Sequence, residues 1–456
     1  MKKYRIWGSL LLAAFLLAAC SAGGQEPKEP SALEKTVLIY ATTNPEGIDR
    51  ENILRFNDSH TGISIEVKDY SQTSSMGKTG WNRLVTDMIT GNSPDIIDLG
   101  DDLPYRQMAL RGYLEDLWPY IENDPDLGRE GVMEAPLKAA EVDGKLYTVF
   151  ESVCINTLVG PERIIGNRTS WSLTDLQSAF AKMPDGAVIL EPFYTKEAIF
   201  NVIFSMNIDS YVDWSTGQCD FDSRKFRTAL EFVNSRPADF DWSDVAAANE
   251  AMCQQMDGGL QMLSCPLVAN FDSIRLYDKL YDIIFGGGAS CVGFPVEDGS
   301  VGSSFAISDT RLAMSSTCKD KQAGWEFLRW LLLPLEQRYS SAEEPYVENW
   351  AEHVGFPINS GDFLKLKAAA MEDREGELTA YNNFGSISFE LLPLAETEYE
   401  KFMSFYNSIE KTDLCDRTVY NIVLDSCGPY FAGDKTLDET IGQIQNRVGL
   451  YVNEQK

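Results

Sequence analysis

Apolar positions along the chain switch between two periods, and the order of the switches sets an architecture. Val37-Leu38-Ile39-Tyr40-Ala41 is a short continuous apolar run of buried-strand type, broken by loop composition over Thr42-Thr43-Asn44-Pro45-Glu46-Gly47. Ile53 and Phe56 then share a helical face, and Ile63, Ile65 and Val67 alternate with polar neighbours as a second strand. Trp81, Leu84, Val85, Met88 and Ile89 form the stripe of an amphipathic helix, with Gly91 placed to stop it. Asp95-Ile96-Ile97-Asp98-Leu99 reads as a third strand running into Gly100-Asp101-Asp102. Strand, helix, strand, helix, strand requires parallel pairing through right-handed crossovers, so the chain opens with an α/β lobe.

Helical patterns dominate further on. Ser172 and Asp175 give a capping-type start to a helix bearing Leu173, Leu176, Phe180 and Met183, and Asp222 is placed to cap another with Phe226, Ala229, Leu230 and Val233 inward. Met262-Leu263-Ser264-Cys265 reads as a short strand ended by Pro266. Ala323, Phe327, Leu328, Leu331 and Leu332 mark a helix closed by Pro334. A last helix starts at a Thr436/Glu439 capping box and turns Ile441, Ile444, Val448 and Tyr451 inward. No repeat of fixed period occurs.

Length and charge narrow the classes. A chain of 456 residues exceeds what one hydrophobic core covers, so two lobes are expected. The formal charge is −30, and without Lys2, Lys3 and Arg5 it becomes −33. Such a field repels nucleic acid and anionic lipid headgroups. Lys2, Lys3 and Arg5 precede an apolar run from Ile6 to Ala19, too short for a comfortable span and laid out as a secretory signal. That run ends in Leu17-Ala18-Ala19-Cys20, which resembles a bacterial lipobox, whose cysteine becomes the lipidated N-terminus. Residues 1–19 are thus expected to be a signal peptide and 20–35 a small, polar, proline-bearing linker. The expected location is the extracellular face of the bacterial cytoplasmic membrane. Eight further cysteines permit disulfides without fixing pairs, and several suit the role of small buried hydrophobes. With only His60 and His353 and no metal-ligand spacing, no metal or cofactor is expected.

Thr90-Gly91-Asn92-Ser93-Pro94-Asp95-Ile96-Ile97, Gly112-Tyr113-Leu114-Glu115-Asp116-Leu117 and Asp143-Gly144-Lys145-Leu146-Tyr147 follow one another in a familiar order. Trp171-Ser172-Leu173-Thr174-Asp175-Leu176, Gly293-Phe294-Pro295, Ala323-Gly324-Trp325-Glu326-Phe327-Leu328 and Gly355-Phe356-Pro357-Ile358-Asn359 continue it. This succession resembles the extracellular solute-binding proteins of carbohydrate-uptake ABC importers. Phe150-Glu151-Ser152 departs from the proline often found there, and residues 361–434 match no motif. The resemblance implies a periplasmic-binding-protein-like fold of two α/β lobes, each a mainly parallel sheet flanked by helices, joined by hinge crossings. Lobe 1 would take 36–150 and 304–345, and lobe 2 would take 151–303 and 346–456. It also implies a monomer that closes on a small ligand, a sugar or oligosaccharide, and hands it to an ABC permease.

Parallel α/β sheets bind ligands beyond the carboxyl ends of their strands, which points to Thr43, Asn44, Asp101 and Asp102. Asn44 reads equally as a turn residue beside Pro45, and the aspartates as helix caps. Asn270 and Phe271 follow the Met262–Cys265 segment, where the resemblance places an aromatic cleft residue. Glu151 enters the first hinge and could accept from a hydroxyl. Trp214, Trp242 and Trp350 are the tryptophans available as stacking platforms, while Trp81, Trp118, Trp171 and Trp325 read as core. Asp209, Asp213 and Asp220 lack calcium-loop spacing and read as a solvated acidic turn. A surface glycoside hydrolase is the enzymatic alternative, but the chain shows no nucleophile elbow, P-loop or dinucleotide fingerprint. A ligand-sensing module for a membrane receptor is the third possibility.

Overall fold

The computed structural model describes residues 35–46, 50–71, 80–100, 103–190, 195–214, 216–236, 260–271, 273, 288–308, 310–339, 349–350, 353–372, 378–381, 387–390, 393–412 and 416–454. Cys20, Asp101, Asp102, Trp242, Cys253, Cys415 and the side chain of Trp81 lie outside them.

The first lobe is built as its pattern dictates. Thr36–Thr42 pairs in parallel with Ile63–Asp69 and with Ile96–Asp98, and Leu312–Met314 adds antiparallel to the outer side of Ile96–Asp98. Helices Arg50–Ser59 and Gly80–Ile89 make the crossovers. Ile53 and Phe56 are buried with Leu38, Tyr40 and Ile96, against Phe327, Leu328 and Leu331 of the Lys321–Leu332 helix. Ile65 is buried, but Val67 and Ile89 are exposed, against the expected apolar face. Ile63–Asp69 is the sheet's edge, so its outer end has a strand neighbour on one side only.

Two of the short motifs have a local physical cause. Asp95 is buried, and its carboxylate accepts from the Ile39 N–H at 2.8 Å and the Lys319 N–H at 3.1 Å, which ties three segments together. Asp143 and Gly144 both have positive φ, 52° and 74°, between the bridged residues Val142 and Lys145. That is a two-residue hairpin of the primed type, where Asp-Gly is the preferred pair.

The second lobe has its own core of Phe200, Phe204, Phe226, Leu230, Val423, Ile444 and Val448. Val159–Pro161 pairs antiparallel with Ala289–Cys291, and bridges from Val159 to Ser264 and from Gln261 to Val188 extend the layer. Helices Leu173–Phe180, Lys196–Phe204, Arg224–Asn234, Arg417–Ala432 and Leu437–Glu454 surround it. The Ser172/Asp175 capping box forms as expected. Ser223, not Asp222, caps the Arg224–Asn234 helix, because the Asp222 carboxylate is held by Arg227. Pairing also resumes past Pro266, where Leu267–Val268 joins Ile155–Asn156.

Strands Ser152–Asn156 and Ser304–Ile307 run antiparallel between the lobes, and a bridge from Phe305 to Thr412 brings a third passage beside them. Thr157 and Ser303 meet there through their hydroxyls at 2.8 Å, both fully buried. A Cβ on Gly293 would overlap the Gly302 backbone, so this crossing needs glycine. Trp171, core as expected, donates its indole N–H to the Gly293 carbonyl at 2.8 Å. Phe356, Ile358, Phe363, Phe402 and Tyr406 pack with first-lobe residues, whereas the sequence placed 346–456 in the second lobe. Val419 and Tyr420 sit in the second core.

Among the described residues, Cys318 and Cys427 are buried free thiols, each pushed up to about 12 by burial. No described helix is long and apolar enough to cross a membrane.

Candidate functional site

A cleft of about 540 Å³ lies where the lobes face one another. Its first-lobe wall is Leu103 to Gln107, downstream of the Ile96–Asp98 strand, together with Arg311. Its second-lobe wall combines Asn201 and Ser205 with Asp209, Trp214 and the start of the Arg417–Ala432 helix. Asn156, Ala306 and Ile307, from the strands that join the lobes, form its floor.

A hydrogen bond spans the walls. Gln107 donates from Nε2 to Asp416 Oδ2 at 2.7 Å, and its own Oε1 is buried without a partner. Asp416 is the N-cap of its helix, accepting from the Val419 N–H at 2.8 Å, and Tyr451 donates to the same Oδ2 at 3.2 Å. The Asp416 N–H in turn donates to Asp209 at 3.2 Å. Burial, and then the charge of Asp416, push the Asp209 carboxyl up to about 6. Burial also raises Asp416. Of the acidic turn, Asp213 and Asp220 are exposed as expected, whereas Asp209 is half-buried at the cleft wall. Trp214 is half-buried beside the cleft, with the Tyr451 ring edge-on at 6.3 Å.

The residues singled out from the sequence fall elsewhere, with two near misses. Asp101 and Asp102 lie outside the described residues, but the chain immediately after them lines the cleft. Trp214 lines it, while Trp350 packs on the first core with His353 at 5.1 Å. Thr43 and Asn44 are not in its lining; the Asn44 N–H donates to Thr42 Oγ1 at 3.0 Å, a turn contact. Glu151 faces Arg338 in a two-pronged ion pair at 2.8 and 3.1 Å. Asn270 bonds the His353 carbonyl and accepts from Ser273, a local capping role. Phe271 is buried among Phe356, Phe363, Tyr399 and Phe402, so it is a core residue and not a cleft platform. Missed were Arg106, Gln107, Asn156, Asn201, Asp416 and Arg417. Only an Asp416 cap ahead of Val419, Tyr420, Val423 and Cys427 gave a sign of the last pair.

Two α/β cores, a chain that passes between them repeatedly, and a polar cleft walled by both define a two-lobed binding protein. The sequence profile described as bacterial extracellular solute-binding protein matches residues 53–347, and the chain belongs to that family. No curated protein matches it. Among solved structures it is similar to an ABC substrate-binding protein of Listeria monocytogenes in complex with cycloalternan, at 14% identity and a TM-score of 0.44, covering 92% of this chain and 100% of that one. The sugar-binding protein MalE of Xanthomonas citri follows at 15% identity and 0.48, covering 92% and 98%. A de novo designed cysteine esterase follows at 14% and 0.49, covering 93% and 99%.

Proposed function

We propose that the chain is a lipid-anchored solute-binding protein, tethered through Cys20, that captures a saccharide in the cleft between its lobes and delivers it to an ABC permease. The observation that carries this reading is the cleft's chemistry. Asn156, Asn201 and Gln107 line it together with Trp214. Sugars offer hydroxyls that both donate and accept, and an apolar face that stacks on an aromatic ring. Closing the cleft brings both walls onto one ligand, which stabilises the closed form by contacts that neither lobe makes alone.

The carboxylates favour binding over hydrolysis. Asp416 already accepts from Gln107, Tyr451 and the Val419 N–H, and Asp209 accepts from the Asp416 N–H. A glycosidase needs a second carboxyl free to face the sugar beside its proton donor, and Asp416 is instead held by its helix, Gln107 and Tyr451. The anchor rests on Leu17-Ala18-Ala19-Cys20 after the apolar run.

A thermal-shift screen of the mature protein against mono- and oligosaccharides, with peptides and polyamines as controls, tests the reading. A ligand that binds only the folded state raises the melting temperature as RT ln(1 + [L]/Kd). A saccharide response with no product on incubation is the expected result, and Trp214→Ala weakens that ligand by about tenfold or more. Turnover of the sugar, or a response confined to peptides or polyamines, removes the proposal.

A further inference from the structure

The cleft runs against the charge of the molecule. Acidic residues outnumber basic ones 69 to 39 along the chain, yet among the described lining residues Arg106, Arg311 and Arg417 stand against Asp209 and Asp416. Arg311 is buried within its wall. Arg106 and Arg417 are exposed, one from each lobe. Each is the chain neighbour of one partner in the Gln107–Asp416 bond, which brings both to the same end of the cleft. Neither forms an ion pair among the described residues, whereas Arg129, Arg227, Arg329 and Arg338 each hold a carboxylate. Arg417 lies over the Tyr420 ring at 5.8 Å.

Three guanidinium groups line the cleft against two carboxylates, and those carboxylates accept from Gln107, the Val419 N–H and the Asp416 N–H rather than from Arg106 or Arg417. Two guanidinium groups drawn together by a closing cleft repel one another unless an anion lies between them. Guanidinium presents a planar fork of donors that matches a carboxylate two-pronged.

We infer that the ligand is an acidic saccharide, a uronate whose ring carboxylate is clamped by Arg106 from one lobe and Arg417 from the other. This rests on the saccharide reading above and narrows it. The amides and Trp214 would hold the hydroxyls and the ring face, and the arginines would make closure depend on the ligand's charge.

Titration calorimetry of the mature chain tests it, using disaccharides containing glucuronate, galacturonate or mannuronate and their neutral counterparts, in which the carboxylate is a hydroxymethyl group. At least one uronate is expected to bind about tenfold or more tighter than its neutral counterpart, with affinity falling as salt rises. Arg106→Gln and Arg417→Gln each remove most of that preference and leave the melting temperature of the unliganded protein unchanged. Neutral sugars binding as well as or better than uronates overturn the inference while keeping the saccharide reading. A uronate preference that survives both substitutions overturns the clamp. No response to either set overturns the saccharide reading, and this inference with it.

Discussion

Replacing Arg338 with methionine lowers stability by about 3–5 kcal/mol and leaves ligand affinity within about twofold, because it strands a carboxylate in a low-dielectric site. Arg338 is almost fully buried, with 2% of its side chain exposed, and grips both oxygens of Glu151. Burial acts to lower its pKa, and the Glu151 charge and hydrogen bonds outweigh that, so the guanidinium stays charged. Glu151 also accepts from Asn52 Nδ2 at 3.0 Å, and Asn52 Oδ1 accepts from the Trp330 indole at 2.7 Å. The pair therefore joins the first crossover helix, the entry to the hinge and the Lys321–Leu332 helix. Chemical denaturation reads the loss directly. The double variant Glu151→Leu/Arg338→Leu should lose less than Arg338→Met, since it strands no charge. If instead Glu151→Ala keeps its stability and abolishes ligand binding, Glu151 belongs to the ligand site.

That pair also marks what the sequence made legible. The first α/β lobe and the capping boxes at Ser172 and Thr436 follow from local pattern, which survives in the fold, and Trp118, Trp171 and Trp325 are buried as expected. The P-D and D-G-K-x-Y motifs were read as family marks, and each turns out to have a local cause in a carboxylate staple and a primed hairpin. The cleft was different. Gln107 and Asp416 meet at 2.7 Å across 309 residues of sequence, and nothing in either neighbourhood encodes the other. Isolated polar residues such as Asn156 and Asn201 carry no period, so only the closing of two lobes marks them as lining. At Phe271 and Glu151 the residue type alone does not decide the role. Their residue types suit a sugar, but an aromatic or a carboxylate beside a hinge is also what a core or a buried ion pair needs. Residues 361–434 match no motif, yet they contain the Arg417–Ala432 helix, whose start contributes to the second-lobe wall.

Asp209→Asn is expected to stabilise the protein at pH 8 and to leave it unchanged at pH 4. The carboxyl has its pKa raised from 3.8 to about 6, first by burial and then by Asp416, so the folded state holds its proton more tightly than the unfolded chain does. Between those values the native state binds more protons, and stability falls as pH rises. The penalty is complete above about pH 6 and is bounded by the gap of roughly two units, at most about 3 kcal/mol. Asparagine keeps the acceptor for the Asp416 N–H while removing the charge that Asp416 repels. The two carboxyls titrate as a pair, so the variant also lowers the pH at which Asp416 ionises. Melting temperatures at half-unit steps from pH 4 to pH 8 check this: the wild-type curve should decline across the window and the variant's curve should flatten. A variant that is less stable at pH 8 would mean that the Asp209 charge is held by Arg106 or Lys411, which act to lower its pKa, more strongly than burial opposes it. Arg106 would then be committed within the protein, and the clamp on a ligand carboxylate would lose one of its arms.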